Sequence, residues 1–142
     1  MIEAVRTYIA TCTYLDQYTA VNVEYLIDKV KAYSLNEGVG YNPIITTDIL
    51  GNETKEFLFT FDSKFHWNEE IQNNIDNSKF YENFRKWLEV NSKQNVFPIL
   101  DTGSTAIKIE ALTNGYIFST QTDEAIYRIQ CRLEYSKEYE DE

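Results

Sequence analysis

The run Phe57-Leu58-Phe59-Thr60-Phe61-Asp62 places phenylalanine at every second position, a period that belongs to a strand and not to a helix. Successive strand side chains point to opposite faces, so Phe57, Phe59 and Phe61 share one side of a sheet and Glu56, Thr60 and Asp62 the other. Just upstream, Gly51 and Asn52 stand where the chain has to reverse, and both residue types tolerate the positive φ of a tight turn. A hairpin across Asn42–Asp62 is predicted. A second alternation closes the chain: Tyr127, Ile129, Cys131, Leu133 and Tyr135 interleave with Arg128, Gln130, Arg132 and Glu134. The second face of that strand is too polar for another core layer and suits solvent or a polar subunit contact.

A sheet with one apolar face needs a layer to cover it, and two segments offer helical spacing. Ile2, Val5, Ile9 and Cys12 predict an amphipathic opening helix over about residues 2–15. Further on, Asn77 or Ser78 is placed to cap a long helix in which Phe80, Phe84, Trp87 and Leu88 follow i, i+4, i+7, i+8, with Glu82, Arg85, Lys86 and Glu89 turned elsewhere. Burying those four side chains is worth roughly 6–12 kcal/mol before entropy, at about 1.5–3 kcal/mol each. Between the helices, Val21, Val23 and Tyr25 alternate with Asn22 and Glu24, and a second strand runs through Lys31–Asn36 to end at Gly38. The segment from Ser63 to Ile75 reads as a connection with one or two helical turns. Ile107, Ile109 and Ala111 predict a strand that Asn114-Gly115 turns back through Tyr116–Phe118, with residues 119–124 as a polar loop. The charge run from Ser136 to Glu142 reads as a fraying tail. The fold class is therefore α+β: a mainly antiparallel or mixed sheet with one long amphipathic helix and an N-terminal helix on one face. A single domain over residues 1–136 and an acidic tail over 137–142 account for the chain, without internal repeats.

Composition narrows the function. Thirteen basic against twenty-three acidic residues give a formal charge of −10, which argues against nucleic-acid binding by the isolated chain. The same balance suits a wall past which DNA slides as cargo. Cys12 and Cys131 are the two cysteines, and their distance apart fits neither a disulfide framework nor a zinc motif, so both read as reduced core residues of a cytoplasmic protein. The N-terminus carries Glu3 and Arg6 and no long apolar run, so neither a signal peptide nor a membrane span is expected. His66 is the one histidine, with no nucleophile elbow or helical histidine pair around it. Gly38-Val39-Gly40 is followed by Pro43, which forbids the helix a dinucleotide loop requires, and no EF-hand spacing occurs. No cofactor, metal or catalytic residue is expected. A small hydrolase using His66 is the alternative outside assembly proteins.

The stretch "KEFLFTFDSKFHWNEEIQNNIDNSKFYENFRKWLEVNSK", followed by "TAIKIEALTNGYIFSTQTDEAIYRIQCRLEYSKE", resembles small neck proteins of phages and prophages of Firmicutes. These are often labelled minor capsid protein and are similar to the tail terminator family. The resemblance covers nearly the whole chain, and its most specific pieces are the F-x-F-x-F strand, N-x-x-F-Y-E-x-F-x-x-W-L-E, K-I-E-A-L-T-x-G-Y and A-x-Y-x-I-Q-C-R-L-x-Y. It implies an α+β fold and a homo-hexameric ring at the head-proximal end of the tail tube. Such a ring stops tube growth and offers a docking face to the neck. The implied partners are the tail tube protein, a neck or head–tail connector protein and a tail sheath, and the implied location is the virion neck. A head-closure connector and the collar of a headless tail-like bacteriocin are the neighbouring alternatives. In the ring reading, Arg128, Arg132, Gln130 and Glu134 are expected at the joint between subunits, the arginines pairing with acids of the neighbour. The hairpin tip, with Asp48, Asn52, Glu53 and Lys55, is expected to reach the tube or the lumen. The acidic end, Glu138–Glu142, has no counterpart in the family pattern.

Overall fold

In a computed structural model of the protein, residues 1–13, 21–23, 32–38, 44–66, 71–120 and 124–138 are described. The expected strand residues Glu24 and Tyr25, the far end of the opening helix at Tyr14–Leu15, and the chain beyond Glu138 lie outside them. The elements in chain order are α1 (Ile2–Ile9), β1 (Val21–Val23), β2 (Ala32–Glu37), β3 (Ile44–Thr47), β4 (Glu53–His66), α2 (Ile71–Lys93), β5 (Ser104–Ala111), β6 (Tyr116–Thr120) and β7 (Glu124–Lys137).

The two alternating runs become the paired centre of one sheet. β4 and β7, each of 14 residues, run antiparallel from Glu53 opposite Lys137 to His66 opposite Glu124. On the outer side of β4, β2 and β3 lie end to end, and on the outer side of β7, β5 and β6 do the same. β1 adds a parallel pairing, against β2, so the sheet is mixed and, among the described residues, mostly antiparallel.

One expectation is overturned here. Asn114-Gly115 does not fold β6 back onto β5; both strands pair with β7 in the same direction, and the reversal lies between Thr120 and Glu124. The residues between β5 and β6 are a step within one broken strand, held to β7 through Gln130, whose carbonyl accepts from the Leu112 N–H (2.7 Å) and whose N–H donates to Thr113 Oγ1 (3.1 Å). Gly115 is small for a packing reason: a Cβ there would stand 2.3 Å from Tyr81 Cγ.

The apolar face carries the core. Tyr33, Leu35, Phe59, Phe61, Ile109, Ile129 and Leu133 are buried under Val5 and Ile9 of α1 and Phe84 and Leu88 of α2. Phe61 stacks on Phe84 at 4.9 Å between ring centroids, and Tyr8 of α1 meets Trp87 of α2 at 5.1 Å. α2 is longer at its start than predicted, and Asn77 and Ser78 lie inside it. With a turn already formed before them, N–H groups beyond these residues bond carbonyls four residues back and need no side-chain cap. Its described side chains keep the expected outer face. The inner face, however, includes Tyr81, which the spacing argument passed over, fully buried, whereas Phe80 and Trp87 are half-buried. α1 is shorter than predicted: past Ile9 the Thr11 and Cys12 N–H groups bond Tyr8 and Ile9 in tight turns. At the other end, Ser136 and Lys137 belong to β7 and the Glu138 N–H bonds the Gly103 carbonyl (2.8 Å), so this part of the predicted fraying tail is paired.

α2 also seals a sheet edge. Ser92 Oγ donates to the Ile109 carbonyl (2.6 Å) and accepts from the Ile109 N–H (3.1 Å). An edge strand otherwise presents unpaired backbone groups to any passing strand. β6 receives no such cover among the described residues, and Tyr116, Ile117 and Phe118 stand exposed along it.

Candidate functional site

The face of the sheet opposite the helices is built by the same alternation that makes the core. Asp62 and Arg128 face each other in register, and the guanidinium grips the carboxylate with two bonds, Nε to Oδ1 and Nη2 to Oδ2, both 2.8 Å. Asn36 Nδ2 donates a third, to Asp62 Oδ2 (3.0 Å). Asp62 is only 3% exposed. That degree of burial is tolerable for a carboxylate because its oxygens are paired and hydrogen-bonded. The hydrogen bond to Asp62 holds Arg128 above the usual guanidinium range. Over the guanidinium lies the Phe118 ring, 3.5 Å from Cζ to centroid. Tyr116 stands opposite Arg128, so strand alternation puts Phe118 on this same face, at the register shift between Ile117 and Ser119.

One rung along, Gln130 Nε2 donates to Tyr116 Oη (3.1 Å). Beyond it, Arg132 bonds Glu110 closely and Glu56 at 3.4 Å, and Lys108 Nζ reaches Glu110 at 2.8 Å. Burial alone would raise the Glu110 carboxyl, but hydrogen bonds from Lys108 and Arg132 outweigh it and hold the group below its ordinary value. Glu134 lies in register between Glu56 and Lys108.

The predicted joint residues Arg128, Gln130, Arg132 and Glu134 thus do share one face. The acids expected on a neighbouring copy, however, are supplied to both arginines by their own sheet. The register of β4 against β7, invisible in the sequence, places Asp62 and Glu56 within reach. A shallow groove of about 300 Å³ runs over this face, with Thr60, Gln130 and Arg128 among its polar lining and Leu58 and Leu112 among its apolar lining.

The hairpin tip is a rigid display. Asp48 Oδ1 accepts from the Leu50 and Asn52 N–H groups, both at 2.9 Å, its N–H bonds the Asn52 carbonyl (2.8 Å), and Gly51 takes φ 88°. Asp48 and Asn52, expected to touch a partner, thereby serve the turn itself. Glu53 and Lys55 belong to β4 and are half-buried. The residues that point outward are Ile49, 100% exposed, and Leu50, 73%. Their signal in the sequence was two large aliphatic residues inside a turn, where polar residues are the rule.

His66 ends β4, opposite Glu124, and its side chain lies outside the described residues. Among the described residues no group of three His, Cys, Asp or Glu side chains is placed to hold a metal. Cys12 and Cys131 are both buried, and burial pushes the Cys131 thiol far up. No described helix is long and apolar enough to cross a membrane. Comparison with protein-family models and with curated proteins gives no match for this chain.

Proposed function

We propose that the chain is a structural virion protein whose copies close into a hexameric ring over the head-proximal end of a phage tail tube, ending tube growth and presenting a docking face to the neck. The observation that carries this reading is the pairing of an exposed, pre-ordered apolar tip with an open sheet face whose two arginines are already ion-paired within the chain. Rigid apolar groups held in water favour burial against a partner surface, since burial without further ordering keeps most of the hydrophobic gain. The reading also rests on the sequence resemblance and on the mixed α+β sheet, the architecture that resemblance implies. A net charge of −10 adds weak repulsion toward DNA passing through a lumen.

The tail tube protein, a neck or connector protein and a sheath are its proposed partners, with the neck of the virion or the collar of a headless tail-like particle as its place. Electron microscopy of particles lacking the protein tests this directly. Overlong tails are expected. Filled heads without tails would assign the chain to head closure instead, and a loss of assembly in His66→Ala that tracks a lost turnover would return the hydrolase reading.

A further inference from the structure

Resting on the assembly reading, we infer that the joint between copies is made by the Asp48–Asn52 tip of one chain seated on the groove beside Arg128 of the next. The tip offers Ile49 and Leu50, and the groove offers Leu58 and Leu112 beside Tyr116 and Phe118. Two features of the molecule select this occupant.

The first is electrostatic. Each copy carries a charge of −10, so two copies repel unless they meet where charge is absent or cancelled. The tip presents Ile49, Leu50, Gly51 and Asn52, none of them charged, and the carboxylate of Asp48 is turned inward to the Leu50 and Asn52 N–H groups. In the groove, Arg128 is neutralised by Asp62 in a two-bond pair, Gln130 and Thr60 are neutral, and Glu37 is an exposed carboxylate. An aliphatic tip seated over the Arg128 pair and clear of Glu37, which stays in water, strands no unpaired ion.

The second is distance. The tip joins β4 at Glu53, whereas the groove lies around Thr60 and Gln130. Seven rungs of strand separate them, roughly 23 Å at about 3.3 Å each, and a tight turn cannot fold back that far. The groove of the same chain is out of reach, and a second copy is the source of the tip. Because donor and acceptor are different patches, each copy gives one tip and receives one, a heterologous contact that propagates until it closes.

Sedimentation velocity over a concentration series, up to millimolar protein, tests the contact in the full chain. Ile49→Asp with Leu50→Asp alters one fully exposed and one mostly exposed residue, and Leu112→Asp alters an exposed groove residue. Circular dichroism serves as the folding control. Wild-type protein is expected to form higher oligomers, the tip variant alone to associate at least about a hundredfold more weakly for the loss of two buried aliphatic side chains, and the groove variant alone at least about tenfold more weakly for the loss of one. A mixture of tip variant and groove variant is expected to stop at dimers, because one intact tip meets one intact groove and both outer ends are blocked. Oligomers that form equally well in both variants overturn the contact and leave the assembly reading in place. A tip variant that still oligomerises but no longer engages tail tubes assigns the tip to the tube and likewise overturns it. Wild-type protein that stays monomeric throughout removes the contact and the ring together.

Discussion

Replacing Gly115 by alanine separates two explanations for the Asn-Gly pair at 114–115. If the glycine were present for a left-handed turn, alanine would cost about 1 kcal/mol whatever lies nearby. Gly115 is not in that region; its constraint is the Tyr81 side chain, with Cγ 2.3 Å and Cβ 2.5 Å from the added methyl. No rotation of the ring relieves a contact with Cβ, so the α2 backbone has to lift by more than an ångström. Tyr81 resists this because its hydroxyl is bound at the far side, to Ser63 and to the Tyr127 carbonyl (3.0 Å). Arg85 resists too, through Asn114 Oδ1 (2.6 Å). Overpacking of this kind costs about 1–3 kcal/mol, and a lost buried hydrogen bond about 1 kcal/mol or more, so roughly 3 kcal/mol is expected. For 142 residues that is a fall in Tm of roughly 10 °C. Urea titration of Gly115→Ala, Tyr81→Phe and the double variant completes the assay. Once the helix is lifted the tyrosine bonds are already broken, so Tyr81→Phe is expected to cost about 1–3 kcal/mol in the native background and little in the Gly115→Ala background. A Tm shift under about 3 °C, or additive costs within about 0.5 kcal/mol, refutes the packing argument.

Three further outcomes are expected. Asp62→Ala leaves a mostly enclosed guanidinium without its carboxylate and should cost about 3 kcal/mol in urea titration, near the low end for a broken buried pair because Arg128 retains 22% exposure; Asp62→Leu with Arg128→Met should recover most of it. Ser92→Ala leaves the Ile109 N–H and carbonyl without their side-chain partner, for about 1–3 kcal/mol and faster amide hydrogen exchange at Ile109. Burial pushes the Tyr81 hydroxyl well above its ordinary value of 10.0, so its contribution to stability is whole below that pH and is lost as pH rises toward the folded value, because the unfolded chain ionises first. Above pH 10, ΔG of unfolding should therefore fall less steeply in Tyr81→Phe, by up to about 1.4 kcal/mol per pH unit.

The alternations at 57–61 and 127–135 determined, on their own, that these segments are strands and which of their faces is apolar, because a period of two admits one buried side. The spacing of Phe84 and Leu88 likewise fixed the covering face of α2. Long-range register was decided only by the tertiary structure. It puts Asp62 beside Arg128 and Glu56 beside Arg132, converting arginines that look available in the sequence into internally paired ones. The same holds for Asn114-Gly115, where a local turn signal yields to the approach of Tyr81, and for Ile49 and Leu50, whose exposure depends on Asp48 closing the turn beneath them. Periodicity is a property of neighbours along the chain, whereas pairing and exposure belong to residues brought together across it, and no reading of adjacent letters contains them.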